Sequence, residues 1–120
     1  MKMQLSGVII WTNNLKRLRS FYENILNLEP NSIKENFISY KWDDVRLNLG
    51  KHSLISYESS KDPYRIMINF NVQNMDLIVS ILKKNSVNFI REPEREKWGG
   101  IVATFEDPDG NIIQLLEQPR

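Results

Sequence analysis

The feature that most constrains the fold of this 120-residue chain is an internal repeat. Apolar positions of the first half recur 60 residues later, with Val8, Ile10, Leu15, Leu18, Phe21 and Tyr22 matching Ile68, Phe70, Met75, Ile78, Ile81 and Leu82. Towards the end of each half, Leu47-Asn48-Leu49 matches Ile113-Gln114-Leu115 at an offset of 66. Each copy combines one amphipathic helix with a run of strands. The repeat therefore predicts an α+β fold of two βαβββ modules in tandem, with a mixed, mostly antiparallel sheet.

The first module, about residues 1–58, is predicted to contain strands at 4–12, 33–41, 45–49 and 54–57, and a helix at 15–26. The second, about residues 64–120, is predicted to contain strands at 64–72, 87–91, 101–105 and 111–117, and a helix at 75–84. Polar residues 59–63 connect the modules, and residues 92–97 are predicted to form a charged loop. Because each half alone is too small for a core of its own, residues 1–120 are interpreted as one domain.

The sharpest local signal is the segment FEDPDGNIIQLLEQ, residues 105–118. Pro108 presets one turn dihedral and Gly110 accepts a positive φ, so the segment predicts a hairpin. In its outgoing strand Gln114 lies among apolar neighbours, where a polar group needs a hydrogen-bond partner.

Composition excludes several classes of function. Sixteen Lys and Arg residues against fifteen Asp and Glu give a formal net charge of +1, without a long basic run, so nucleic-acid binding is not expected. No apolar run approaches the roughly 20 residues that span a bilayer, and the first one is too short for a signal peptide, so no membrane association is expected. The absence of cysteine excludes disulfides and thiolate chemistry, and it is compatible with the expected cytoplasmic location.

Period-two alternation divides the strand residues between two faces. The first face is apolar and suits cover by two helices; it contains Val8, Ile10, Val45, Leu47, Leu49, Ile68, Phe70, Ile113 and Leu115. The second mixes aromatic, apolar, amide and guanidinium groups; it contains Ile9, Trp11, Arg46, Asn48, Met67, Asn69, Asn71, Ile112, Gln114 and Leu116. Small-molecule sites have this mixed character. The solvated side of an open sheet, or a dimer interface, would share it.

The candidate ligand-binding residues come from the second face and one loop: Trp11, Arg46, Asn48, Met67, Asn69, Trp98 and Gln114. Arg46 would bind an anionic ligand group through its planar fork, or it would pair with Asp43 or Asp44 at the surface. Trp11 would stack on a planar ligand, or it would be a core or dimer residue. Gln114 would bond to the ligand, or to a neighbouring side chain.

Several segments together resemble one superfamily. The helix entry Asn14-Leu15 with Phe21-Tyr22, the turn Trp98-Gly99-Gly100 and the FEDPDGNIIQ hairpin are similar to those of vicinal oxygen chelate proteins. That superfamily includes glyoxalase I, extradiol dioxygenases, fosfomycin-resistance proteins and bleomycin-binding proteins. The resemblance covers nearly the whole chain and implies βαβββ modules whose strands curl round a cavity. It also implies a homodimer, because the family commonly pairs.

The metalloenzymes of that superfamily hold a divalent ion with His, Glu or Gln from equivalent strands. Carried over to this chain, those positions hold Gly7, Asn48, Met67 and Gln114. Zinc, nickel, iron and manganese sites need imidazole and carboxylate ligands, so we expect no catalytic metal and no cofactor. The single histidine, His52, follows a predicted strand and is interpreted as a surface residue.

Three functions remain open at this stage. The favoured one is a metal-free glyoxalase/bleomycin-resistance-like protein that binds a small metabolite or antibiotic in the cavity. The second is a divalent-metal lyase, isomerase or dioxygenase with displaced ligands, and the third is a non-enzymatic scaffold or regulatory protein. The sequence names no ligand and leaves open whether a reaction is catalysed.

Overall fold

A computed structural model describes residues 2–120 and divides the chain into two compact units. The first unit ends at Glu58, and the second comprises Ser59–Arg120. Each unit contains one four-stranded mixed sheet and the element order βαβββ, which confirms the predicted α+β fold. Among residues 2–120 no helix is long and apolar enough to cross a membrane.

The first unit has the sheet order β1-β4-β3-β2, in which β1 and β4 are parallel and the other pairs antiparallel. Its elements are β1 Gly7–Thr12, α1 Leu15–Ser20, a π-helical segment Phe21–Ile25, β2 Ser32–Lys34, β3 Phe37–Trp42 and β4 Val45–Lys51. The side chain of Asn14 caps α1 by accepting a hydrogen bond from the Arg17 backbone N–H. The core packs between this helix and one face of the sheet, with Leu18, Phe21, Tyr22, Ile38, Tyr40, Leu47 and Leu49 buried.

The second unit repeats this topology as β5-β8-β7-β6, again with one parallel pair, β5 with β8. Its elements are a 3-10 turn Pro63–Arg65, β5 Met67–Asn71, α2 Met75–Lys84, β6 Phe89–Arg95, β7 Ile101–Glu106 and β8 Ile112–Glu117. Asn74 caps α2 as Asn14 caps α1. The buried residues of α2 are Met75, Val79 and Leu82. The apolar face predicted for this helix, which included Ile78 and Ile81, therefore differs from the buried face by about one residue position.

Two strand predictions in the first unit were wrong. The single strand predicted at residues 33–41 is a hairpin, because polar Glu35-Asn36 form a turn between β2 and β3. The strand predicted at 54–57 is instead a turn after β4. There the Leu54 N–H donates to Nδ1 of His52 and the Ile55 N–H donates to the His52 carbonyl. These local bonds take the backbone donors that a sheet ladder would have used.

The predicted charged loop at 92–97 was also largely wrong, because β6 continues to Arg95. Register shifts between Phe89 and Arg91, and again between Arg91 and Glu94, mark bulges that break the alternation. β6 is an edge strand, and charged residues are one way in which natural proteins protect such edges from unwanted pairing. The register keeps Val45 and Ile112 on their predicted faces, but Val45 is exposed and Ile112 is fully buried.

The π-helical segment brings a carboxylate to the sheet. The Leu26 N–H bonds to the Phe21 carbonyl, a wider turn than that of an α-helix. Within this segment Glu23 accepts hydrogen bonds from the Tyr40 hydroxyl, at 2.8 Å, and from the Arg19 guanidinium. Burial, reinforced by the bond to Glu23, raises the pKa of Tyr40 well above its usual range. The folded protein therefore holds this phenol neutral far into alkaline solution.

This arrangement predicts a loss of stability at alkaline pH. Above about pH 10 the unfolded chain releases the Tyr40 proton while the folded chain keeps it, so the unfolding free energy falls by up to about 1.4 kcal/mol per pH unit. Tyr40→Phe should flatten this decline between about pH 10 and 12, measured by urea unfolding at each pH. Tyr64→Phe is the matched control, because Tyr64 is 62% exposed. Parallel curves for wild type and Tyr40→Phe would contradict the prediction.

Candidate functional site

The side of the first sheet opposite α1 carries the predicted aromatic and polar candidates, and we call it the first open face. Cross-strand register arranges its residues in three rows. The rows are Trp11–Gly50–Phe37, Ile9–Asn48–Ser39 and Gly7–Arg46–Lys41. Directly paired residues of neighbouring strands point to the same side, so each row lies on this one face. Trp11, Asn48 and Arg46 are therefore brought together on one surface, as predicted from the alternation.

An aromatic cluster forms one end of the first open face. The ring of Trp11 lies over Gly50, where a Cβ atom would come within 2.5 Å of the indole. The Trp11 ring centroid lies 5.9 Å from that of Phe37 and 5.0 Å from that of His52, the latter nearly perpendicular. Trp11 nevertheless remains 40% exposed. The cluster thus fixes an indole that still presents area to a ligand.

The middle row offers an amide beside a hydroxyl. Asn48 donates from Nδ2 to the Val8 carbonyl at 3.3 Å. Its cross-strand neighbour Ser39 is buried, and the Ser39 hydroxyl has no hydrogen-bond partner within residues 2–120. Sequence reasoning missed Ser39 because the strand at 33–41 was not divided correctly. The signal that could have found it is the turn dipeptide Glu35-Asn36, which fixes which residues of β3 face Asn48.

Two cations form the other end of the first open face. Arg46 and Lys41 are directly paired across β3 and β4, and both are exposed. Within residues 2–120 neither side chain has an ion pair, so the alternative pairing of Arg46 with Asp43 or Asp44 is not observed. Like charges directly opposite on paired strands destabilise a sheet unless an anion neutralises them.

The second open face is the side of the second sheet opposite α2. Its middle row is Asn69–Gln114–Thr104–Arg91. Gln114 donates from Nε2 to the Asn69 side chain at 3.3 Å, which is the predicted alternative of bonding to a neighbour. Met67 lies at the same edge, paired with Ile112. Gln114 lies beside the buried hydroxyl of Thr104, as Asn48 lies beside that of Ser39. The internal repeat therefore includes the polar residues at the centre of each open face.

Arg91 was not among the predicted site residues. The bulges in β6 place it opposite Thr104, and bulges commonly re-aim a side chain in this way. Its guanidinium donates to Glu94 at 3.4 Å and to Glu96 at 2.9 Å. These hydrogen bonds, that to Glu94 first, raise the pKa of Arg91. Since both neighbours are acidic, this guanidinium is already neutralised, unlike Arg46.

Trp98 belongs to a turn rather than to a strand. It occupies the turn between β6 and β7, where its ring covers Gly100 so closely that a Cβ there would lie 1.9 Å from the indole. The ring therefore packs on its own turn, and its contact with a ligand stays a prediction.

The residues at the family's metal positions do not fit a divalent metal. Gly7 has no ligand atom, and a Cβ there would come within 2.5 Å of the Arg46 carbonyl oxygen, so a larger side chain does not fit. Asn48 and Gln114 use their amide groups within the sheets. His52 already accepts a hydrogen bond at Nδ1. Across residues 2–120 no group of three or more His, Cys, Asp or Glu side chains is placed to hold a metal ion.

Comparison with known proteins places this geometry in a family. A family model described as a glyoxalase-like domain matches residues 5–118. The uncharacterised protein YraH of Bacillus subtilis (strain 168) is 27% identical, over 96% of this chain and 98% of its own length.

Solved structures agree with this match. A protein of unknown function from Agrobacterium tumefaciens (str. C58) is 26% identical, with a TM-score of 0.77 over 98% of this chain and 96% of that chain. A glyoxalase/dioxygenase from Nostoc punctiforme shares the fold, with a TM-score of 0.81 at 18% identity over 98% of this chain and 92% of that chain. With both βαβββ units inside the matched range, the chain belongs to the glyoxalase-like domain family of the vicinal oxygen chelate superfamily.

Proposed function

We propose that this protein is a metal-free member of its family that binds a small aromatic anion on the first open face. The observation that carries the proposal is the pairing of Arg46 with Lys41 on the same face as the exposed indole of Trp11. The candidates from the sequence that lie in the second unit are proposed separately as ligand contacts within that unit; they are Met67, Asn69, Trp98 and Gln114.

The cation pair supports an anionic ligand. Two positive charges held opposite each other repel, and neither has an acidic partner in the described chain. A carboxylate or phosphate between them would remove the repulsion, and the Arg46 fork can bind such a group with two hydrogen bonds.

The aromatic cluster supports a planar ligand. Trp11 is held by Gly50 beneath it and by Phe37 and His52 beside it, so little side-chain freedom is lost on stacking. The Gly50 row lies four positions along β4 from the Arg46 row, which corresponds to about 13 Å at roughly 3.3 Å per residue. An Arg side chain extends over part of this span, so a ring with a short acidic tail fits.

The test is calorimetric titration of metal-stripped protein with trans-cinnamate, a planar aromatic carboxylate. We expect saturable binding that a chelator leaves unchanged and that Arg46→Gln weakens roughly 10- to 100-fold, the value of a hydrogen bond to a charged group. Arg65→Gln is the matched control, because Arg65 is exposed and lies in the other unit. Binding that needs an added divalent ion would favour the metalloenzyme instead. Absence of binding would contradict the proposal.

We also propose that the protein forms a homodimer in the cytoplasm. Large apolar side chains remain uncovered within each unit, including Ile33 at 58% and Ile66 at 70% exposure. Burial of such groups stabilises association by roughly 25 cal/mol per Å² of apolar surface. The mass from light scattering in solution distinguishes a dimer from a monomer.

A further inference from the structure

We infer that His52 determines which ring the first open face accepts, by donating a hydrogen bond from Nε2 to an acceptor atom on the edge of the ligand ring. This inference rests on the proposed function and specifies its ligand class. That class is a planar ring with an acidic tail at one end and a hydrogen-bond acceptor, such as a ring nitrogen or a carbonyl oxygen, at the other.

The backbone fixes the protonation pattern of the imidazole. Nδ1 of His52 accepts a hydrogen bond from the Leu54 N–H at 3.0 Å, so in the neutral ring the proton resides on Nε2. The His52 N–H itself bonds to the Thr12 carbonyl, which extends the β1–β4 ladder by one residue. Hydrogen bonds thus hold both the backbone N–H of His52 and one nitrogen of its ring.

The position of the ring makes the remaining donor available to the site. His52 is half-buried and lies two residues beyond Gly50, against the indole of Trp11. Within residues 2–120 its Nε2 has no hydrogen-bond partner and the residue has no ion pair. A donor fixed beside an aromatic surface, at the opposite end from Arg46, selects rings that carry an acceptor there.

If His52 were only a surface residue, its two ring nitrogens would have no effect on ligand binding. Such a residue would also not need a turn that holds Nδ1. Residues 52–55 form a turn where the sequence predicted the start of a strand. The first backbone donor of this turn, the Leu54 N–H, bonds to the imidazole. The chain therefore uses its single histidine to present one donor in a set orientation.

Two compounds of the same shape test the inference. trans-3-(4-Pyridyl)acrylate differs from trans-cinnamate only in a ring nitrogen that replaces a C–H group. At pH 8 we expect the pyridyl compound to bind about three- to tenfold more tightly, the value of one net hydrogen bond. Nitrogen NMR of the unliganded protein should show His52 protonated at Nε2. Protonation at Nδ1 would overturn the inference before any ligand is added.

Two variants separate the roles of the nitrogens. His52→Asn places an oxygen where Nδ1 accepts from Leu54 but is too short to supply the donor, so the preference for the pyridyl compound should fall towards one. His52→Gln supplies an amide donor near Nε2, so it should keep part of the preference. Equal binding of both compounds to wild type, or an unchanged preference in His52→Asn, overturns the inference alone. Failure of both compounds to bind overturns the proposed function with it.

Discussion

Replacement of Asp107 by alanine should destabilise the protein by roughly 3 kcal/mol or more, because three hydrogen bonds converge on one buried carboxylate. Oδ1 accepts from the backbone N–H groups of Asp109 and Asn111, and Oδ2 accepts from the Asn111 side chain, each at 2.9 Å. Asp107 is only 4% exposed, so water cannot fully replace these bonds. Urea unfolding of both proteins measures the difference.

Two further variants make the Asp107 result specific. Asp107→Asn keeps an acceptor for both backbone groups but presents an amide to the Asn111 side chain, so its loss should be intermediate. Asp44→Ala is the matched control, because Asp44 lies exposed in a turn of the first unit and should change stability by less than about 0.5 kcal/mol. If Asp107→Ala cost no more than Asp44→Ala, the carboxylate would not organise the hairpin.

Replacement of Gly50 by alanine should weaken binding of trans-cinnamate about tenfold or more and destabilise the first unit by roughly 1 to 3 kcal/mol. An added Cβ would lie 2.5 and 2.8 Å from two atoms of the Trp11 ring and 2.9 Å from the Phe37 ring. Both rings must move away from the face, and the stacking surface moves with them. Calorimetric titration and urea unfolding measure the two effects.

A double-mutant cycle shows whether the effect passes through the indole. In a Trp11→Ala background the Cβ at residue 50 meets only the Phe37 ring, so the stability cost of Gly50→Ala should be smaller. An equal cost in both backgrounds would mean that the glycine is needed for the strand backbone rather than for the position of Trp11.

Local sequence patterns predicted much of the fold, because they act over a few residues. The D-P-D-G turn and the alternation of β8 each depend on neighbours within about four positions. Because the two halves repeat, patterns in one half supported the same prediction in the other. Two modules, their order of elements and the family resemblance all followed from the chain alone, and the comparisons confirm the family.

The candidate site was predicted only in part. Trp11, Asn48 and Arg46 do share one face, since alternation along a strand is a local property. The alternation did not show that Lys41 faces Arg46 or that Ser39 faces Asn48, because both pairings depend on where β3 begins. Trp98 was predicted near the site from its loop position; its ring packs on Gly100, and its contact with a ligand stays a prediction.

The sequence by itself determined the two βαβββ modules and the tight hairpin at Asp107. Only the tertiary structure decided the pairing register, the bulges that set Arg91 opposite Thr104, and the turn that fixes His52 beside Trp11. The physical reason is that register joins residues distant in sequence, and a shift of one residue moves every side chain of a strand to the other face.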